Sequence, residues 1–185
     1  MEFFLSIKYT QIVQTLPSSV PFVGPEAQER RLGKNFEARI GANESVFGAS
    51  PKAVLAMMDE TGQAWKYGDP ESFDLKHALA KKHNVAFENI IVGEGIDGLL
   101  GYLVRLFVEQ GDNVVTTDGA YPTFNYHVEG FGGQLHKVPF KDDTEDLDNL
   151  LNKVIETKAK ILYVSNPNNP MGTINSVNDI NNLIE

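Results

Sequence analysis

The 185-residue sequence contains no cysteine, which excludes disulfide bonds, thiol catalysis and cysteine-ligated zinc. Basic residues are also outnumbered: 16 lysines and arginines stand against 25 aspartates and glutamates, a formal net charge of −9 at pH 7. This balance disfavours nucleic acid and anionic membranes as main partners, because both attract basic surfaces. No apolar run approaches the roughly 20 residues of a membrane-spanning helix, and residues 1–7 lack the basic segment and cleavage site of a signal peptide. We therefore expect a cytoplasmic protein with no membrane, nucleic-acid or metal partner.

Hydrophobic residues make up 42% of the sequence and aromatic residues 10%, which is enough for one globular domain with a packed core. Residues 1–48 carry scattered prolines and glycines without periodicity, and we expect an N-terminal arm or partial small domain there. Ser50 and Pro51 then predict the start of a helix. The expected buried face of this helix consists of Val54, Leu55 and Met58. A second helix is predicted over about residues 72–83.

Strand and helix patterns alternate from residue 89 onward. Short apolar runs predict strands at residues 89–92, 113–117, 134–139 and 160–164. A helix with a buried stripe follows the first of these strands, and its stripe consists of Ile96, Leu99, Leu100, Leu103, Val104 and Phe107. A second amphipathic helix, residues 146–156, is expected to face inward with Leu147, Leu150, Leu151, Val154 and Ile155. The alternation predicts an α/β fold with three αβα layers and a mostly parallel sheet.

A glycine-rich turn, residues 93–98, lies between the first predicted strand and its helix. Such a turn presents free backbone N–H groups and the positive end of the helix dipole to an anion. The same six residues also fit the dinucleotide fingerprint Gly-x-Gly-x-x-Gly, and Asp118 stands 20 residues after Gly98, where a ribose-binding acid is expected. An NAD-binding domain is therefore one interpretation of this segment.

A second polar segment, residues 165–173, follows the predicted strand at residues 160–164. It contains two Asn-Pro steps and a glycine, which make a non-helical corner because the residue before each proline is pushed out of the α region. Polar amides at the end of a buried strand are typical of small-molecule sites in open α/β sheets. An ordinary asparagine-rich turn is the alternative.

The string Asn-Pro-Asn-Asn-Pro-Met-Gly at residues 166–172 closely resembles the Asn-Pro-x-Asn-Pro-x-Gly motif of class I and II pyridoxal-phosphate (PLP) aminotransferases. The resemblance extends over about residues 38–185 and is nearest to the histidinol-phosphate aminotransferase branch. It implies that Asn169 hydrogen-bonds the phenolic oxygen of the cofactor. It further implies that the backbone amides of Gly95, Ile96 and Asp97 hold the cofactor phosphate, with Asp97 as a helix cap. Residues 49–185 would then form the N-terminal part of a fold-type-I large domain.

Three more residues match the same family by position. Phe124, in the segment Tyr121-Pro122-Thr123-Phe124, matches the aromatic residue that stacks on the cofactor's pyridine ring; a core position is the alternative. Tyr67 matches a tyrosine that reaches the phosphate of the neighbouring subunit, which implies a homodimer, and a half-buried core aromatic is its alternative. Asn43 matches a residue at the substrate entrance, or simply forms a turn.

The family's Schiff-base lysine, its pyridine-binding aspartate and its carboxylate-binding arginine all follow the Asn-Pro motif, and no residue of this chain matches them. We therefore expect the N-terminal portion of an enzyme that transfers an amino group between an amino acid and a 2-oxo acid, inactive as a truncated chain. A catalytically silent cofactor-binding or subunit-pairing module is the first alternative. A PLP decarboxylase or lyase on the same scaffold is the second.

Overall fold

A computed structural model describes residues 8–16, 23–39, 41 and 43–185. These residues divide into two compact units: residues 23–92 form one, and residues 8–16 together with 93–185 form the other. Residues 1–7 and part of the predicted N-terminal arm, including Pro17 and Pro21, lie outside the described residues. Within the described ranges, no helix is both long and apolar enough to span a membrane.

The unit of residues 23–92 is helical. It contains α2 (Pro25–Leu32), α3 (Pro51–Glu60) and α4 (Phe73–His83), with short 3-10 turns at Thr61–Gln63 and Phe87–Asn89. Proline in the first turn starts α2 and α3, because its fixed φ suits the helix and its missing N–H would have no partner there. Both predicted helices in this range are confirmed.

Helix α3 does not bury the face that its sequence suggests. Leu55 and Met58 are 61% and 65% exposed, and Val54 is also exposed. The prediction of a buried face was therefore wrong. Periodicity shows which side chains share a face, but burial also requires another element to cover that face.

The other unit carries the sheet. Its helices are α1 (Gln11–Thr15), α5 (Gly95–Phe107), α6 (Pro122–Gly130), α7 (Leu147–Thr157) and α8 (Val177–Ile184). Its strands are β1 (Asn113–Thr117), β2 (Gln134–Val138) and β3 (Ile161–Tyr163). The strands form a three-stranded parallel sheet in the order β2-β1-β3, with Val115 opposite His136 on one side and Leu162 on the other. The predicted parallel α/β arrangement is confirmed for these strands.

Two adjacent valines of β1 define the layers. Val114 packs with α5 and α6, in a cluster that includes Leu100, Val104, Phe124 and Val128. Val115 points to the opposite face and packs with Leu150 of α7 and Val138 of β2. Because successive side chains of a strand alternate between faces, one short strand serves two cores, and the three-layer prediction is confirmed.

Several other predicted details of the chain are wrong. Residues 90–92 form no strand: Ile90 is extended, but its N–H closes the preceding turn on the Phe87 carbonyl instead of joining a ladder. An extended apolar run becomes a strand only when a neighbour pairs with it. The α5 stripe is buried only at Leu100 and Val104, while Ile96 and Phe107 remain 61% and 59% exposed. In α7, Leu150 is buried as expected but Ile155 is exposed.

Candidate functional site

The candidate site lies at the carboxyl edge of the sheet. Strands β1 and β3 are parallel neighbours, so the segments that follow them, residues 118–121 and 164–176, leave the sheet at the same edge. Helix α5 ends just before β1 begins, and its first turn is tied to the segment after β1 by a hydrogen bond from the Tyr121 hydroxyl to Asp97 Oδ1 (2.9 Å). The glycine-rich turn and the Asn-Pro corner therefore belong to one edge.

The first turn of α5 is suited to an anion. Gly95 has a φ of 76°, in the left-handed region that favours glycine, and open space surrounds the position where a Cβ would stand. Its N–H donates to the Gly93 carbonyl at 2.8 Å, and the expected contact of this amide with the phosphate stays a prediction. The N–H groups of Ile96 and Asp97, by contrast, belong to the first turn, whose amides have no intrahelical acceptor. All three residues are exposed, and the 13-residue helix adds the positive end of its dipole.

The Asp97 side chain is not a helix cap. Glu94 occupies the N-cap position of α5 without a side-chain cap, and Asp97 stands in the first turn. Its carboxylate instead accepts the Tyr121 hydroxyl. The expected cap was therefore wrong. The hydrogen bond from Tyr121 partly satisfies the negative charge of Asp97, which lies close to the amides that suit an anion.

The Asn-Pro corner is organised by Asn168. This residue is 5% exposed and lies between the two Asn-Pro steps, whose peptide bonds are both cis. Its N–H donates to the Thr173 carbonyl (2.9 Å), its carbonyl accepts the Gly172 N–H (2.8 Å), and its Oδ1 accepts the Met171 N–H (3.1 Å). One buried asparagine thus fixes the backbone on both sides of Asn169, which is itself half-buried.

A second pair of hydrogen bonds closes the base of the corner. Asn166 donates its Nδ2 to the Asn175 carbonyl at 3.2 Å and accepts the Asn175 N–H on Oδ1 at 3.0 Å. The corner is therefore a closed loop and not an open asparagine-rich turn. The sequence singled out Asn169 as the cofactor-binding asparagine; the structure fixes the backbone around it, and its side-chain role stays a prediction.

Glu145 lies directly behind the corner. It is 3% exposed, its Oε1 accepts Asn168 Nδ2 at 2.7 Å and the Ser165 N–H at 3.4 Å, and its Oε2 is buried with no hydrogen-bond partner. Burial raises the pKa of Glu145, and the hydrogen bonds from Asn168 and Ser165 oppose that rise. This acid supports the backbone of the Asn-Pro corner from inside the protein.

Phe124 belongs to the core between α6 and the sheet. The ring is 0% exposed and stacks on Tyr163 of β3, with centroids 4.2 Å apart and planes 21° apart. Burial raises the pKa of the Tyr163 hydroxyl, and the nearby charge of Glu145 adds to the rise. The geometry favours the core alternative for Phe124, and its stacking on a cofactor stays a prediction.

Asn43 and Tyr67 belong to the unit of residues 23–92. Asn43 has a φ of 57° in a turn, which matches its turn-forming alternative, and its contact with substrate stays a prediction. Tyr67 is fully exposed, so the half-buried core alternative is wrong. Its contact with a neighbouring subunit stays a prediction.

Three observations together define the class of site. The carboxyl edge of the parallel sheet carries the free amides at the start of α5 and the closed Asn-Pro corner. It also carries the Asp97 carboxylate, which accepts a hydrogen bond from the Tyr121 hydroxyl. Ligands of open α/β sheets bind at this edge, and a phosphate group fits the helix start. The class defined by the fold and site is therefore an α/β protein that binds a small molecule carrying phosphate.

The family is shown by comparison with known proteins. The model of "Aminotransferase class I and II" matches residues 38–185, and the chain belongs to this family. The histidinol-phosphate aminotransferase of Moorella thermoacetica is 32% identical over 167 residues, which are 90% of this chain and 43% of that protein. This chain thus spans less than half the length of that relative.

Solved structures agree with the family and give the fold. A histidinol-phosphate aminotransferase from Sinorhizobium meliloti, crystallised in complex with pyridoxal-5'-phosphate, is 50% identical with a TM-score of 0.89, over 96% of this chain and 47% of its own. An aspartate aminotransferase from Thermus thermophilus, at 23% identity and a TM-score of 0.69 over 77% of this chain and 42% of its own, shares the fold alone. The sheet unit has the fold-type-I architecture of the PLP transferases, and the family match removes the basis for the NAD-binding interpretation.

Proposed function

We propose that this chain supplies the cofactor-binding part of a PLP-dependent aminotransferase that acts between an amino acid and a 2-oxo acid, and the similarity to histidinol-phosphate aminotransferases supports this proposal. The observation that carries the proposal is that the free α5 amides and the closed Asn-Pro corner lie at the same edge of the sheet. The 50% identity to a PLP-complexed relative supports the choice of cofactor.

Each cofactor-binding residue has a defined task in this proposal. The N–H groups of Ile96 and Asp97 bind the phosphate, and Gly95 allows the backbone to turn into the helix. The Asn169 amide donates to the phenolic oxygen of the pyridine ring, which favours the ionised form of that oxygen. When bound, PLP supplies an electron-withdrawing ring that eases loss of the amino acid's α-proton.

Two sets of contacts support the proposal, because they order these groups before any ligand binds. Asn168 fixes the backbone of Asn169, so little freedom is lost when the amide binds. The Tyr121 hydroxyl donates a hydrogen bond to the Asp97 carboxylate. This bond weakens the repulsion between the carboxylate and an anion bound at the amides. No residue of the chain is assigned the amine that would bind the cofactor aldehyde, and we propose that the 185-residue chain alone does not transaminate.

The same proposal includes a homodimer in which Tyr67 reaches the neighbouring cofactor phosphate. It also includes substrate contact by Asn43, ring stacking by Phe124 and a cytoplasmic location. The full exposure of Tyr67 supports the first of these. A silent PLP-binding or subunit-pairing module is the second candidate function, and the absence of an assigned lysine favours it for the isolated chain.

The first test is PLP binding to the purified chain, measured by equilibrium dialysis. We expect saturable binding that falls at least about tenfold in Asn169→Ala, because a hydrogen bond to a charged oxygen is worth about 1.5–3 kcal/mol. Asn152→Ala is the matched control: Asn152 is exposed on α7, away from the corner. Equal affinities for all three proteins would contradict the proposed site.

Activity is tested separately, with histidinol phosphate as amino donor and a 2-oxo acid as acceptor. Bound PLP without turnover supports the silent module for the isolated chain, whereas amino transfer would overturn the proposed inactivity. In a parallel assay with an amino acid as donor, loss of carbon dioxide or of a side-chain fragment would instead identify a decarboxylase or lyase.

A further inference from the structure

Glu145 is a buried acid to which neither the motifs nor the family resemblance assigns a task. It follows a short reversal in the chain, where Lys141 and Thr144 pair backbone to backbone at 2.9 Å in both directions. It immediately precedes Asp146, the N-cap of α7. Its backbone is therefore held on both sides by local structure, so its side chain enters the protein at a fixed place.

The buried carboxylate has one set of partners, and all of them belong to the Asn-Pro corner. Oε1 accepts Asn168 Nδ2 at 2.7 Å and the Ser165 N–H at 3.4 Å. Neither arginine nor lysine pairs with it among the described residues, and Oε2 is buried without a partner. Burying this acid is costly, and every hydrogen bond that it accepts comes from the Asn-Pro corner, which indicates a task in holding the corner.

Thr173 ties the same two segments together once more. Its hydroxyl donates to the Asp143 carbonyl at 2.9 Å, and its own carbonyl accepts the Asn168 N–H. The reversal at residues 141–146 and the corner at residues 165–173 are thus joined at Glu145 and at Thr173. Glu145 makes the contact that reaches the central asparagine of the corner.

We propose that Glu145 is a positioning residue: by holding the Asn168 amide it fixes the Asn-Pro corner and thereby the direction of Asn169. Glu145 does not touch the ligand. The first part of the inference concerns the corner alone, and the second part, the direction of Asn169 toward PLP, rests on the proposed function.

Amide hydrogen exchange of the full 185-residue chain, followed residue by residue by NMR, tests the first part without cofactor. The reporters are the N–H groups of Asn168 and Gly172, which are both bonded inside the corner, and Val115 in β1 is the internal reference. We expect Glu145→Ala to accelerate both reporters about tenfold, because a buried amide donor loses its acceptor. We expect Glu145→Gln, which keeps an acceptor oxygen, to stay within about twofold of the wild type.

The matched control is Glu109→Ala, since Glu109 is exposed and its side chain makes no hydrogen bond in the structure's described part. Reporters that stay within about twofold in a folded Glu145→Ala protein would overturn the proposal, as would equal acceleration of the reporters and Val115. If Glu145→Ala does not fold, Glu145→Met gives the decisive result: it fills similar space without an acceptor oxygen, leaves the Met171 bond to Asn168 in place, and must accelerate Gly172 relative to Val115, or the proposal fails.

PLP affinity tests the second part. We expect a fall of about three- to tenfold in Glu145→Ala and little change in Glu145→Gln. If the wild-type chain does not bind PLP, the proposed function fails while the exchange result still decides the task of Glu145. Unchanged affinity in a Glu145→Ala protein with accelerated corner amides would refute the link to Asn169.

Discussion

The stacked pair of Phe124 and Tyr163 allows a test of whether Phe124 stabilises the core or binds the ligand. Phe124→Leu removes a fully buried ring and its stack at 4.2 Å. An aromatic pair contributes about 0.5–1.5 kcal/mol beyond its burial. Truncating a buried phenylalanine to alanine costs about 3–5 kcal/mol, and leucine refills part of that space, which leaves about 1–2 kcal/mol. We therefore expect the free energy of unfolding to fall by about 2–3 kcal/mol.

Urea denaturation of the purified chain measures this loss. Phe131→Leu is the matched control, because Phe131 is 41% exposed at the end of α6 and should lose less than about 1 kcal/mol. A double-mutant cycle with Tyr163→Leu isolates the stack, and we expect a coupling energy of about 0.5–1.5 kcal/mol.

PLP affinity decides between the two roles of Phe124. If Phe124→Leu changes the free energy of unfolding by less than about 0.5 kcal/mol and PLP affinity falls more than about tenfold, the ring serves the ligand and our assignment to the core is refuted. A large stability loss that Phe131→Leu does not share supports the core.

Three shorter predictions concern other parts of the sheet unit. Tyr121→Phe removes the hydroxyl from Asp97 and should lower PLP affinity by about three- to tenfold in equilibrium dialysis, because more negative charge then faces the anion; unchanged affinity would speak against the anion site. Gly101→Ala would place a Cβ 2.9 Å from His127 Cε1, and thermal unfolding should show a net loss of about 1–2 kcal/mol despite the better helix former, so a stabilised variant would contradict the tight contact. Burial raises the pKa of Glu145 above 4.5, so the native state binds this proton more tightly than the unfolded chain; the stability it contributes is complete below about pH 4.5 and is lost as pH rises through the raised pKa. The wild type should therefore gain stability relative to Glu145→Gln as the pH falls from neutral toward 4.5, and a pH-independent difference in urea denaturation would refute this.

The sequence predicted the sheet well because its strands carry their own signals. The β-branched run of β1 and the periodic leucines of α7 determine two elements, and Leu150 of α7 is buried as expected. Caps are local signals of the same kind: Ser176 starts α8 through a reciprocal capping box with Asp179. These signals come from residues close together in the sequence, so they can be recognised without knowing which elements pack nearby.

The errors concern features that depend on partners. Residues 90–92 have the composition of a strand, yet Ile90 bonds back to the preceding turn. The apolar residues of α3 share a face, yet Leu55 remains 61% exposed. The pairing of a strand and the burial of a helix face depend on elements distant in the sequence. One sequence by itself does not specify which element pairs with the strand or covers the helix.

Within the candidate site, the sequence identified the segments but not all of the supporting residues. Asn169 was chosen by its place in the motif, whereas the hydrogen bonds that hold the motif converge on Asn168. Glu145 carried only a weak signal, an acid just before the start of an amphipathic helix, which is normally read as part of a cap. Only the folded chain shows that Glu145 and Asn168, 23 residues apart, form one contact.

The division between core and edge explains how a three-stranded sheet can carry this site. The two faces of β1 are filled by Val114 and Val115, so the packing energy lies in the middle of the strands. The polar groups of the candidate site lie beyond the ends of the strands, at Tyr121 and at the Asn-Pro corner, and they are held by hydrogen bonds to backbone and carboxylates. Changes in the valine layers should therefore alter stability with little change in ligand affinity, whereas changes at the strand ends should alter affinity with little change in stability. Glu145 is the exception, because it is buried like a core residue but hydrogen-bonded to the Asn-Pro corner like a residue of the site.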